Sequence, residues 1–257
     1  MANSGSPRAI RVLAALVLIL CMGAAAYLGW LGLSELADRR RGVEYYGQLA
    51  EAVHRAGFEA VAVEGEAEAP ERDDGVDFIA LRAACPDVVG WIRIDGTVID
   101  YPVVRGPDND FYLHHLPDGT PNDGGSIMMD AACAGDFSCE VTILHGHHMR
   151  SGAMFGDLDE YAKADYFAAH PVLRLVTPDG GFDVEIFAAF TVNGASFGYP
   201  TGFATDAEFD EFVAAARVRS AFDADVDVSR GDRLLLLSTC AYSFENARFI
   251  VLGRIAE

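Results

Sequence analysis

The sequence predicts a mainly β fold, a closed or nearly closed barrel of eight short strands with peripheral helices, preceded by an N-terminal transmembrane helix. Three observations carry this. Residues 12–33, VLAALVLILCMGAAAYLGWLGL, are 22 positions without a charge. From residue 88 onward, short runs rich in Val, Ile and Tyr alternate with clusters of Gly, Pro, Asn and Asp, the pattern of strands and turns. Eight such runs fit within about 170 residues, which suits a barrel.

The apolar run comes first. At about 1.5 Å per residue it forms a helix of roughly 33 Å, against a hydrocarbon core of about 30 Å. Tyr27 and Trp30 lie near its far end, where amphipathic rings favour the membrane interface. A cleaved signal peptide is the competing reading. It favours a shorter run and a small-x-small site, for which Ala24 and Ala26 serve. A lipoprotein needs a small residue just before Cys21, and that position is Leu20. The expectation is an uncleaved anchor. Arg8 and Arg11 precede it, whereas Arg39, Arg40 and Arg41 follow it with Glu35 and Asp38, so charge alone does not set its orientation.

Residues 34–57 read as a helix with an apolar stripe of Leu36, Tyr46, Leu49, Ala50 and Val53, stopped by Gly57. Residues 59–77 hold eight acids and one base, Arg72, with Pro70 and Gly75, and read as a solvated linker. The segment 34–75 is therefore a helical stalk and acidic linker, and 76–257 is the folded domain. A short helix at 77–84 ends before Pro86. Candidate strands are 88–94, 98–104, 126–130, 141–145, 172–177, 182–192, 233–239 and 248–254. Helices are expected at 155–169 and 206–215, the second from the spacing of Phe209, Phe212 and Val213.

Composition narrows the function. Hydrophobic residues make up 51%, enough for a real core. Lys plus Arg is 19 and Asp plus Glu is 39, a formal charge of -20 that repels polyphosphate, so nucleic acid is not an expected partner. Five Cys are too few and too scattered for a disulfide-framework miniprotein. No glycine-rich phosphate cradle is present.

Two constellations remain that can carry chemistry. Cys240 closes the apolar strand LLLLSTC, where the chain turns outward to meet a substrate. Free Cys is more often a small buried hydrophobe. Here Arg248 lies eight residues on, opening the next strand, and antiparallel pairing returns it beside Cys240. A guanidinium there favours thiolate or holds a developing oxyanion. The second constellation is HGHHM, 145–149, after the strand VTIL. One of these His is a candidate general acid/base beside a thiolate, the others turn residues. A metal reading joins His145 and His147 to His114 and His115, but no HExxH or paired CxxC supports it. Cys133 and Cys139 bracket the loop ACAGDFSCE and are a possible disulfide in an oxidising compartment. Cys85 and Cys21 read as structural or incidental. Asp100, Asp130 and Asp157 read as turn or strand-edge groups.

These residues together resemble the sortases. The carriers are GWIRIDGTVIDYPVV (90–104), GSIMMD (125–130), ILHGHHM followed by MFGDL (143–158), and LLLLSTCAYSFENARFIVLGRI (234–255), in that order. The likeness covers about residues 76–255. It is closest to the class B sortases, with a helix before the barrel and a long insertion, 193–232, ahead of the Cys strand. The resemblance implies a trio of His147, Cys240 and Arg248. His148 stands where the family's loop usually has Asn, and His145 where it often has Tyr, so either is a secondary candidate for the His role. Ala241 replaces the acidic or polar residue that often follows the Cys, which leaves only its backbone N–H as an oxyanion donor. Ser238 is a candidate substrate-binding residue.

The resemblance also implies a mechanism. A Cys240 thiolate attacks the Thr carbonyl of an NPxTx- or LPxTx-like sorting signal, and an amine of peptidoglycan or of a pilin resolves the thioester. The partners implied are surface proteins bearing a C-terminal sorting signal, that amine acceptor, and the membrane through the N-terminal helix. No cofactor or metal is implied. Sorting signals and wall amines lie outside the cell, which makes 1–11 a cytoplasmic tail and places the catalytic domain outside. A thiol hydrolase on the same barrel and a noncatalytic His-rich metal-binding module are the alternatives.

Overall fold

The computed structural model describes residues 7–63 and 75–256. The chain divides into two compact units, Met1–Arg41 and Gly42–Glu257. The first unit holds most of the helix α1 (Pro7–Val63). The helix is long and apolar enough to cross a membrane, with a mean hydropathy of 2.4 over its most apolar stretch and none of that stretch buried. Gly57 was expected to stop it, but the helix continues to Val63. A glycine inside a helix costs only about 1 kcal/mol relative to Ala, which its neighbours can absorb. Most of the acidic linker, 64–74, lies outside the described residues.

The second unit is a closed barrel with the strand order β1-β2-β3-β4-β7-β8-β6-β5. Its strands are β1 (Val88–Arg93), β2 (Asp100–Val104), β3 (Ile127–Met129), β4 (Val141–His145), β5 (Val172–Thr177), β6 (Gly180–Asn193), β7 (Arg233–Cys240) and β8 (Ala247–Ile255). All eight expected strands are present, with ends shifted by one or two residues. β2 starts later than expected because Ile94 N donates to Ile99 O and closes a turn first. Two neighbouring pairs, β2·β3 and β4·β7, are parallel, and the others are antiparallel.

The main core holds Ile92, Ile127, Ile143, Leu235, Leu237 and Ile250, all essentially inaccessible to solvent. A smaller cluster joins Val53 of α1, Leu81 of α2 (Phe78–Ala84) and Trp91 of β1. Asp77 caps α2 by accepting from Ile79 N and Ala80 N, both at 3.0 Å. Of the expected stripe on α1, Tyr46 and Val53 are buried and Leu49 and Ala50 pack against the smaller cluster, but Leu36 is exposed.

The expected helix at 155–169 is instead a 3-10 turn, Leu158–Ala162, and a short helix α3 (Ala164–Ala169), parted by Lys163 in an extended conformation. A three-residue repeat sets Leu158 and Tyr161 on one face, and both are fully buried. The Tyr161 hydroxyl then donates to His170 O at 2.7 Å. The last helix, α4 (Asp206–Arg219), runs four residues beyond the expected end. Thr205 caps it, and Phe209 and Val213 are buried against the barrel.

Candidate active site

β7 is buried from Leu234 to Thr239, and Cys240 is its first residue after that stretch to regain exposure. Its two neighbours set what surrounds the thiol. On one side β8 pairs antiparallel, with Cys240 opposite Arg248. On the other side β4 pairs in parallel and ends at His145 opposite Ser238. The loop after β4 stays on β7: Gly146 N donates to Ser238 O at 3.2 Å, and Thr239 Oγ1 donates to Gly146 O at 2.9 Å. These bonds hold the start of the His147 loop against the end of β7 that carries Cys240.

Gly146 is what lets the loop lie there. A Cβ at this position would come within 2.5 Å of Ile127 Cδ1 and 2.6 Å of Phe155 Cδ2. His147 is then oriented by backbone. Its Nε2 lies 2.8 Å from Leu113 O, and its own carbonyl accepts from Phe155 N at 3.0 Å. A carbonyl only accepts, so Nε2 carries the proton, and in the neutral ring the lone pair sits on Nδ1.

Arg248 Nη1 donates to Ala247 O at 3.0 Å. Its aliphatic stem lies against Gly194, where a Cβ would be 2.7 Å from Arg248 Cγ. The Ala241 N–H also donates to Ala247 O, at 2.9 Å. Closing the β7–β8 hairpin thus engages the N–H that the resemblance offers as an oxyanion donor.

Ser238 is buried two residues before the thiol, and its Oγ is 2.9 Å from Tyr199 Oη. Tyr199 packs edge-on against His145, with ring centroids 5.4 Å apart. Burial pushes the Tyr199 phenol up, the Ser238 hydrogen bond and the Arg248 charge oppose this, and the Cys240 thiol adds to it. The phenol therefore lies within electrostatic reach of both Cys240 and Arg248. A groove of about 590 Å³ runs along the end of β6, past Val192, Asn193, Phe197, Phe212 and Phe244. Val192 is the β6 partner of Arg248.

The histidines near His147 have contacts of their own. His145 Nε2 is 3.0 Å from Asp130 Oδ2, and this hydrogen bond, opposed by burial, holds the Asp130 carboxyl down at about 2. His148 Nε2 is 3.1 Å from Asp159 Oδ2, and its ring packs against Tyr242. His115 stacks on Phe111, and the His114 ring centroid is 6.3 Å from that of His147. Among the described residues no three His, Cys, Asp or Glu side chains gather to hold a metal ion. Cys133 and Cys139 are both free thiols, Cys133 buried and Cys139 partly so. Reading the sequence assigns Asp130 nothing beyond a turn or strand edge, and assigns Tyr199 no role. Both contact residues distant in the chain, and local pattern carries no signal for that.

No family model matches the chain. It is 30% identical over 239 residues to sortase B of Listeria monocytogenes, covering 92% of this chain and 94% of the relative. It is 31% identical over 182 residues to sortase B of Staphylococcus aureus, covering 70% and 75%. Among solved structures, S. aureus sortase B superposes with a TM-score of 0.74 at 27% identity, covering 83% of this chain and 98% of that one. A substrate complex of the same S. aureus enzyme superposes with a TM-score of 0.73 at 26% identity, covering 86% and 99%. A barrel with a half-exposed thiol at a strand end, an arginine opposite and a histidine loop alongside thus coincides with near full-length likeness to one family, and the chain belongs to the class B sortases, the cysteine transpeptidases known as sortase B.

Proposed function

We propose that this transpeptidase is membrane-anchored, cleaves a Thr-containing sorting signal of the NPxTx or LPxTx kind, and passes the acyl group to an amine of cell-wall peptidoglycan or of a pilin. The observation that carries the site assignment is the pairing of Cys240 with Arg248 while the His147 loop is bonded to the same strand end. Cys240 thiolate attacks the Thr carbonyl carbon. The carbonyl electrons move onto oxygen, and the Arg248 guanidinium stabilises that charge. As the intermediate collapses, the carbon–nitrogen bond breaks and His147, whose Nδ1 took up the Cys240 thiol proton when the thiolate formed, gives that proton to the leaving amine. The thioester persists until an acceptor amine attacks it. His147 then takes the acceptor's proton, and the thiolate leaves.

The anchor reading follows from the chemistry. Sorting signals and wall amines are extracytoplasmic, so the amino terminus is cytoplasmic and the barrel is outside. Of the three arginines following the span, Arg39 pairs with Glu35, and Arg41 pairs with Asp38 at 2.7 Å. This partly neutralises the cluster on the outer side.

The test uses the full chain in detergent with a pool of NPxTx and LPxTx peptides and reads intact mass. A thioester adduct on wild type and none on Cys240→Ala supports the assignment and identifies the preferred signal. An adduct on Cys240→Ala removes Cys240 as the nucleophile. Turnover that does not depend on added amine favours a thiol hydrolase.

A further inference from the structure

The structure assigns a positioning role to Asp130 and His145: together they fix Tyr199, and through it the Ser238 hydroxyl, beside the Cys240 thiol to seat the acyl-donor peptide. This rests on the reading of Cys240 as the nucleophile. Neither residue is needed for the proton transfers above, and neither belongs to the expected trio.

The network begins at a fixed carboxylate. Asp130 Oδ2 accepts from Asn109 Nδ2 at 2.9 Å, and Oδ1 accepts from Ala132 N at 2.9 Å. Asn109 is itself held, because its Oδ1 accepts from Ala131 N at 2.7 Å. The hydrogen bond from His145 holds the carboxyl at about 2, so it stays ionised at neutral pH. An ionised carboxylate only accepts, so His145 Nε2 donates to it, and the ring plane is set.

That ring is one wall for Tyr199. The other is Phe197, whose ring stands at 89° to the phenol with centroids 5.1 Å apart. Tyr199 adopts a φ of 42°, a left-handed conformation that bulky residues hold only when their surroundings fix it. The two rings and the bond to Ser238 Oγ supply that fixing. Ser238 is opposite His145 across the parallel pair and shares the face of β7 that bears Cys240, since strand side chains alternate. When one of the two hydroxyls donates to the other, one O–H remains free for a peptide carbonyl next to the attacked bond.

A fold-stabilising ion pair is the competing explanation, and kinetics separate the two. In the full chain in detergent, thioester formation is followed against donor peptide concentration, and turnover separately against acceptor amine. Asp130→Asn, His145→Phe and Tyr199→Phe should each lose about tenfold in donor kcat/KM, chiefly through KM, with acceptor KM unchanged. His145→Gln keeps an N–H for Asp130 but not the ring wall, so it should hold its thermal midpoint and still lose donor affinity. Asp130→Asn combined with Tyr199→Phe should fall no further than the worse single variant. Donor kinetics within about twofold of wild type in folded His145→Phe would overturn the assignment, as would multiplying losses in the double variant. So would equal losses in the acceptor half-reaction. A wild type that forms no thioester with any donor refutes the reading of Cys240, and this relay with it, before any variant is compared.

Discussion

A single methyl group at Gly194 tests the role of Arg248 without touching either reacting side chain. Gly194 follows β6, and its N–H donates to Asn246 O at 2.9 Å. Its φ is not left-handed, so the backbone accepts alanine. The conflict is steric, because the new Cβ would lie 2.7 Å from Arg248 Cγ and 3.3 Å from Asn246 O. Non-bonded carbons rest about 3.5–4.0 Å apart, so Cγ must retreat by roughly 1 Å. Cγ is near the root of the side chain, and moving it swings the guanidinium away from its place opposite Cys240. Overpacking costs about 1–3 kcal/mol, and a half-exposed site with a movable neighbour belongs at the low end. For a domain of this size about 1 kcal/mol lowers Tm by ~2–4 °C. Losing an oxyanion donor costs about 10²–10³ in rate. The expected Gly194→Ala protein therefore unfolds cooperatively a few degrees early and forms thioester at least a hundredfold more slowly, about as slowly as Arg248→Ala. The double variant should be no slower than Arg248→Ala alone, because both changes act on one group. Wild-type acylation by a folded Gly194→Ala protein would refute the reasoning.

Other expected outcomes follow from the same geometry. Cys240→Ala should form no adduct with any donor and keep its thermal midpoint, since the thiol is only half-buried; intact mass and circular dichroism check both. His147→Asn should lose about 10²–10⁴ in acylation rate while the loop stays in place, read by single-turnover kinetics. Asp130 has its folded pKa lowered from 3.8 to about 2. Its contribution, about 2 kcal/mol, is full above the unfolded value and is lost as pH falls through the folded one. Acid titration of stability should accordingly lose a step between about pH 4 and 2 in Asp130→Asn. Cys133 and Cys139 are expected to join under diamide, losing two hydrogens, because Cys139 sits against the Cys133 thiol. Burial pushes that thiol up to about 11, so pairing should be faster at high pH. An unchanged mass under diamide at high pH would refute the pairing.

How legible each part was depends on the range of the interaction behind it. The strands could be read because each is a local run of Val, Ile or Leu ended by a turn residue. LLLLSTC is the plainest case, and it is buried without a break from Leu234 to Thr239. The helix expected at 155–169 failed because its apolar residues answer to the core. Leu158 and Tyr161 are buried from a 3-10 turn that extended Lys163 parts from α3, and Phe155 is buried ahead of both elements. Gly57 misled for the opposite reason, since a weak local preference was outweighed by the helix on both sides of it.

The active site divides in the same way. Cys240 and Arg248 are joined by one antiparallel hairpin, so counting residues from the thiol was enough to bring the guanidinium back opposite it. The His147 loop follows β4, which meets β7 as a parallel neighbour, and parallel neighbours need a long crossover. Here the crossover from β4 to β7 contains β5, β6 and α4. No local spacing encodes that return, and only the likeness of several motifs in order singled out His147 among three adjacent candidates. Asp130 and Tyr199 are harder still. Each contacts His145 from a different element, one at the end of β3 and one in the insertion before α4. Their role exists only once the barrel has closed, and so the residues that orient a reactive pair are the last that a single sequence yields.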